Sequence, residues 1–421
     1  DDLEECFMVS EMNKSFEKYA DLVIKVGLNL QKGQRLVISA PIEAAELTRV
    51  MTAKAYDAGC PYVDVNFLDE ELSLIRFRHA PRDSFREFPT WRIKGNIEQA
   101  EEGAAFLSIA GNNPDLLKEQ DPNLVAIAQK TAAEHSKPFS REYISKMKVS
   151  WCVISAAVAP WAARVFPDGP ADEQVGSLWD AIFKMCRLDE ADPTVAWREH
   201  IKTLECRRAY LNERAYSALK YTAPGTDLTL GLPNGHIWKG GVDTNEKGTL
   251  FVPNIPTEEV FTMPHCQRTD GMVSSTKPLN YGGRLIENFS LTFQAGRVVG
   301  VEAESGRDVL KKLVETDEGA ARLGEIALVP NSSPISRFGK LFYNTLFDEN
   351  ASNHLALGQA YNVCLEKGEA MSEVDFSKAG GNTSVTHVDF MIGSEEMDID
   401  GVLPNGSTEP VMRAGEWAFE A

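Results

Sequence analysis

Basic residues are in short supply in this chain: 43 lysines and arginines stand against 62 acids, a formal net charge of -19. A surface that grips phosphate backbones or anionic lipid needs clustered Lys and Arg, so no nucleic-acid or membrane partner is expected. The acid excess reads as solubility. Cysteine is sparse as well. Its seven positions (Cys6, Cys60, Cys152, Cys186, Cys206, Cys266 and Cys364) are scattered, odd in number and without a C-x-x-C pair. That argues against a disulfide framework or zinc ribbon and for a reducing compartment, the cytoplasm. Residues Asp1 to Ser10 are acidic, begin without Met and lack the basic-then-apolar order of a secretory signal, so no leader is expected there. Long apolar runs are missing too. The nearest to one, Val149 to Phe166, is split by Pro160 and reads as a buried strand running into a helix. Familiar catalytic signatures are also absent. None of the seven histidines is followed by Glu, which excludes an H-E-x-x-H zinc helix, and G-x-S-x-G, Walker A and G-x-G-x-x-G do not occur.

What is present is ordinary globular material, 43% hydrophobic and 25% charged, over a length that suits two domains. Phe16, Tyr19, Ala20, Val23, Val26 and Leu30 recur at helical spacing, and so do Ala44, Leu47, Met51, Ala55 and Ala58. Apolar runs at Leu36 to Ala40, Tyr62 to Phe67, Ala105 to Ala110 and Trp151 to Val158 alternate with such segments, as in parallel crossover units. From Gln174 to about Arg214 the pattern is helical. The texture then changes: Leu228, Leu230 and Leu232 alternate with polar residues, and Arg284 to Phe293, Ala295-Gly296 and Val298 to Ala303 read as a hairpin. The expected fold is an N-terminal open α/β domain with a largely parallel sheet (residues 12–210). A β-rich α+β domain follows it (211–421).

The chemistry-bearing residues lie in the second half. His387 and Asp389 stand at i and i+2 of an apparent strand, so both project from one face while Val388 and Phe390 face the other way. An imidazole and a carboxylate presented together can hold a divalent metal, or simply form a solvated polar face. Glu349 and His354 flank small polar residues in a loop feeding a strand, Glu325 stands at the entrance to an apolar strand, and Glu259 precedes Val260-Phe261. An acid beside an apolar strand is costly to bury without a partner, and each hints at a cation. Tyr361, taken alone, reads as a packed core tyrosine. His79, His135, His200, His236 and His265 read as structural, and Cys266 and Cys364 lack a thiol-protease setting.

Together, N-I-P-T-E-E-V-F-T (254–262), G-E-I-A-L-V-P (324–330), E-N-A-S-N-H-L-A-L-G-Q-A-Y (349–361) and H-V-D-F-M-I-G (387–393) resemble the metallo-aminopeptidases of metallopeptidase family twenty-nine. T-D-L-T-L-G-L-P (226–233), S-T-K-P-L (275–279), W-A-A-R-V-F-P (161–167) and the closing G-E-W (415–417) extend the likeness over nearly the whole chain. The resemblance implies metal ligands at Glu259, Glu325, Glu349, His354, His387 and Asp389, and places Tyr361 at the reacting centre. It also implies a homodimer, peptide substrates with a free N-terminus, and two divalent ions drawn from zinc, cobalt or magnesium. His265-Cys266-Gln267-Arg268-Thr269-Asp270 departs from a stretch that is usually more basic in the family, which bears on substrate preference rather than on the ligands. Four acids with two histidines suit a pair of ions about 3.5–4 Å apart better than one closed structural zinc. In that chemistry Glu325 is expected to shuttle a proton and Tyr361 to meet the oxyanion or a metal. A dinuclear hydrolase of another amide or ester, and a peptide-binding protein with a structural metal, stand as alternatives.

Overall fold

The computed structural model describes residues 2–281 and 284–420, with side chains from Glu11 onward, so the side chains of the opening segment and of Cys6 lie outside it. The chain forms two compact units. One comprises Asp1–His200 with Val242–Pro256, the other Ile201–Gly241 with Thr257–Ala421. Among the described residues no helix is long and apolar enough to cross a membrane.

The first unit is an open α/β fold. Its four strands are all parallel, in the order Val63–Leu68, Leu36–Pro41, Ala105–Ala110, Trp151–Ser155. Helices Ala45–Asp57, Glu70–His79, Thr90–Glu101 and Pro122–Phe139 fill the connections. The Ala45–Asp57 helix buries Leu47, Met51 and Ala55, one apolar stripe at helical spacing. Asp69 and Asp121 cap the helices that follow them by accepting from the main-chain N–H of Glu71 and Asn123. The returning segment adds to the last strand, where Val153 N–H donates to Pro253 (2.7 Å) and Ile255 N–H to Val153 (3.0 Å).

The helical pattern expected from Gln174 to Arg214 is two helices, Gln174–Met185 and Pro193–Arg214. The break has a local cause. Arg187 takes a positive φ of 57°. Asp192 caps the second helix by accepting from Thr194 N–H, and Pro193, which has no N–H to satisfy, opens it.

The second unit is β-rich. A nine-stranded sheet includes the hairpin Arg284–Gln294 and Arg297–Ser305, whose turn uses positive φ at Ala295 and Gly296. A second, antiparallel sheet has the order His387–Met391, His354–Gly358, Leu323–Leu328, Val260–Thr262. The two sheets share one apolar core, in which Leu228, Leu230, Phe289 and Leu291 meet Ile326, Leu328, Leu355, Leu357 and Phe390. Phe289 and Phe390 bring their rings to 5.6 Å. Burying each such side chain stabilises the fold by about 1.5–3 kcal/mol. One face of the smaller sheet packs into this core, and its opposite face carries the polar residues.

Candidate metal centre

Register decides which side chains meet. Across antiparallel strands, directly opposed residues project to the same side. Glu325, Ala356 and Asp389 form one such row, and Phe261, Ala327, His354 and Met391 form another. His387 stands opposite Gly358. Glu325, His354, His387 and Asp389 therefore share one face, and Glu259 joins them two residues before Phe261. Val260, Ile326, Leu355 and Leu357, of opposite parity, enter the core. Ala327, Ala356 and Gly358 lie between the polar residues and are too small to fill the space.

His354 Nε2 lies 3.2 Å from Glu259 Oε2 and 3.8 Å from Glu325 Oε1. His387 Nε2 lies 3.3 Å from Glu325 Oε2 and 3.4 Å from Asp389 Oδ1. Two triads result, Glu259–Glu325–His354 and Glu325–His387–Asp389, each with its ligand atoms within 4.8 Å of one another. Glu325 belongs to both and turns one oxygen toward each imidazole.

The donor set fits a divalent cation on its own evidence. His354 donates Nδ1–H to the Ser352 carbonyl (3.1 Å) and His387 donates Nδ1–H to the Gln359 carbonyl (2.7 Å). A neutral imidazole so held points a lone pair from Nε2 at the acids. Glu259 Oε2 and Asp389 Oδ1 are fully buried oxygens without a hydrogen-bond partner among the described residues. Lone pairs facing buried carboxylate oxygens need a positive charge between them. With only protons to supply it, the imidazoles bind them. Burial pulls His387 down, but Asp389 and Glu325 outweigh it and push it up to about 11. His354 likewise rises well above its ordinary value, against the pull of burial, because of Glu259 and Glu325. A bound metal ion would take over that charge.

Glu349 begins the short turn Glu349–Ala351 and stands outside both triads. Burial pushes its carboxyl well above the usual range, and the charges of Glu259 and Asp389 add to the effect. Asn350 fixes this turn to the Glu259 segment, accepting from Glu258 N–H (2.7 Å) and donating to the Leu346 carbonyl (3.0 Å).

Tyr361 is not a core tyrosine; it is 44% exposed. The strand ends at Gly358, where φ is 110°, and beyond it the Tyr361 ring comes to lie 4.9 Å from the His387 ring and 6.1 Å from Phe261. Desolvation of its oxygen, followed by the charges of Glu325 and Asp389, holds the phenol well above its usual pKa and thus protonated.

Among the described residues the remaining histidines belong to neither triad. His135 stacks on Phe88, His265 Nδ1 accepts from Gln267 N–H, and His236 donates Nδ1–H to Pro233. No disulfide joins the six cysteines whose side chains are described. Sequence reasoning passed over Phe261 beside Glu259, and the small residues Ala356 and Gly358 beside His354. The alternation read at His387 and Asp389 also runs through His354-x-Ala356-x-Gly358 and Glu259-x-Phe261, and it would have found them.

Known proteins resemble this chain over nearly its whole length. The family model described as thermophilic metalloprotease (M29) matches residues 12–417. The chain is similar to aminopeptidase AmpS of Bacillus subtilis, with 49% identity over 98% of this chain and 100% of that one. It is similar to aminopeptidase T of Thermus thermophilus, with 46% identity over 96% of this chain and 98% of that one. Among solved structures, wild-type AmpT from Thermus thermophilus superposes with a TM-score of 0.91 at 45% identity, covering 96% of this chain and 99% of that one. The match over nearly the full length, on a fold that gathers candidate metal ligands on one sheet face, gives one assignment: the chain belongs to the M29 family of metalloproteases.

Proposed function

We propose that this chain is a metal-dependent aminopeptidase that hydrolyses the N-terminal peptide bond of peptides with a water activated by two divalent ions. The observation that carries the reading is the pair of triads sharing Glu325, whose two oxygens face different imidazoles. The relatives' names, all aminopeptidases, support the reaction class. Glu259, Glu325, Glu349, His354, His387 and Asp389, all in the C-terminal domain (211–421), would hold the ions, which we take to be zinc, cobalt or magnesium. The four carboxylates would balance the charge of two divalent cations in full. Bound there, such ions bring the pKa of a water toward neutrality and polarise a carbonyl. Glu325 accepts the water's proton and returns it to the leaving amine. Tyr361, whose ring lies beside that of His387, donates its phenol O–H to the oxyanion that develops on the scissile carbonyl. The chain works in the cytoplasm as a homodimer that admits peptides and excludes folded proteins.

The test is a panel of peptides with free and acetylated amino ends, assayed after chelation and after adding back cobalt, zinc or magnesium. Release of the first residue from free-amino peptides alone, restored by metal, is expected. Cleavage of the blocked peptides would point to another dinuclear hydrolase. No cleavage under any metal would point to a binding protein with a structural metal.

A further inference from the structure

We infer that Asp317 is a positioning residue for His387, and through it sets the geometry of the Glu325–His387–Asp389 triad without touching a metal ion. The inference rests on the two-ion reading above. His387 needs outside support because it is the first residue of an edge strand, with a neighbouring strand on one side only among the described residues. Asp317 supplies it. Its Oδ1 accepts from Ala320 N–H (2.7 Å) and Ser384 Oγ–H (2.8 Å), and its Oδ2 accepts from Val385 N–H (2.8 Å). The Ser384 hydroxyl oxygen in turn accepts from Thr386 N–H at 3.1 Å. Ser384 N–H donates to the Gln359 side-chain oxygen (3.0 Å), and Gln359 N–H donates to the Thr386 carbonyl (2.7 Å). The Gln359 carbonyl is the group that receives His387 Nδ1–H. Asp317 is thus joined to the imidazole by an unbroken run of hydrogen bonds.

The junction is also tight. A Cβ on Gly319 would collide with the Thr383 carbonyl oxygen, and one on Gly358 with that of Thr386. Asn382, 4% exposed, ties the same loop down by donating to the Gly319 and Gly358 carbonyls. None of these bonds reaches the Val260–Thr262 strand, and His354 is oriented separately by Ser352. Asp317 therefore bears on His387, the imidazole of one triad, and not on His354, the imidazole of the other.

Calorimetric titration of cobalt into the metal-free full chain tests this, with the metal-free melting temperature measured alongside. Wild type is expected to show two binding events. In Asp317→Ala one event should hold its affinity while the other weakens about 10- to 100-fold, the usual effect of losing an outer partner of a metal-binding histidine. Asp317→Asn, which keeps one acceptor oxygen, should fall between. Ser384→Ala, which removes a single hydroxyl, should show the same selectivity to a smaller degree if Asp317→Ala does not fold. Two wild-type events that both weaken in step with a fall in melting temperature would make Asp317 a structural clamp and overturn the inference. Two events unchanged in every variant would overturn it equally. A wild-type chain that takes up one ion would overturn the two-ion reading itself, and this inference with it.

Discussion

His354 and His387 each commit Nδ1–H to a main-chain carbonyl, so Nε2 is the atom left to meet the acids. Tyr361 sits beside one of them as a phenol held in its protonated form. Loss of a ligand and loss of a catalytic donor are therefore separable. His387→Ala is expected to shed metal first and activity as a consequence. Tyr361→Phe should retain its metal and lose turnover about 10²–10³-fold, the cost of removing one oxyanion donor. Metal content measured with turnover at saturating cation decides between them. If Tyr361→Phe sheds metal as His387→Ala does, Tyr361 is a ligand; if it turns over like wild type, it has no catalytic role. A similar pair separates the acids. Glu325→Gln should lower uptake of both ions, because both triads use it, and equal retention of both would contradict its shared position. At this scale the sequence was partly legible. His387 and Asp389 announce a shared face through their spacing, whereas a lone Tyr361 has no periodic partner and by itself reads as core.

The small sheet divides by parity, with the candidate ligands on one face and core on the other. Leu355, fully buried between His354 and Ala356 in the chain, belongs to the core face. Leu355→Ala should cost about 2–5 kcal/mol of stability by opening a cavity. Metal affinity measured on the folded variant should stay near wild type, and a specific loss of metal would contradict the division. Ala356→Leu tests the other face. Its side chain would enter the row between Glu325 and Asp389 and should block metal uptake in a chain that still folds. Element types were largely legible, because strands in both units and the Arg284–Ser305 hairpin follow from alternation and turn residues. Cross-strand register was not, since it joins Glu259 to Glu325, His354 and His387 over long stretches of chain that carry no mark of their partners. The interruption at Arg187 was missed because the apolar spacing resumes beyond Pro193.

For the whole molecule, the acid excess and the small number of basic residues fit a protein that meets peptides rather than polyanions. An exopeptidase must also keep folded proteins from its centre. Light scattering is expected to show a homodimer, with little activity on folded substrates, and a fully active monomer would contradict that arrangement. Spacing alone left Glu325, His354 and Tyr361 open, because each of those residues has a structural reading in isolation, and only the resemblance of their surrounding segments to the family suggested roles for them. The central claim is hydrolysis at a free amino end by a chain that needs two divalent ions. The most direct measurement follows the turnover of one peptide, free and acetylated, as metal-stripped chain is reloaded with counted equivalents of cobalt. No turnover is expected when stripped, full turnover of the free peptide as content approaches two ions per chain, and none of the acetylated peptide. Full activity in a chain holding no divalent metal, or equal hydrolysis of both peptides, would contradict it.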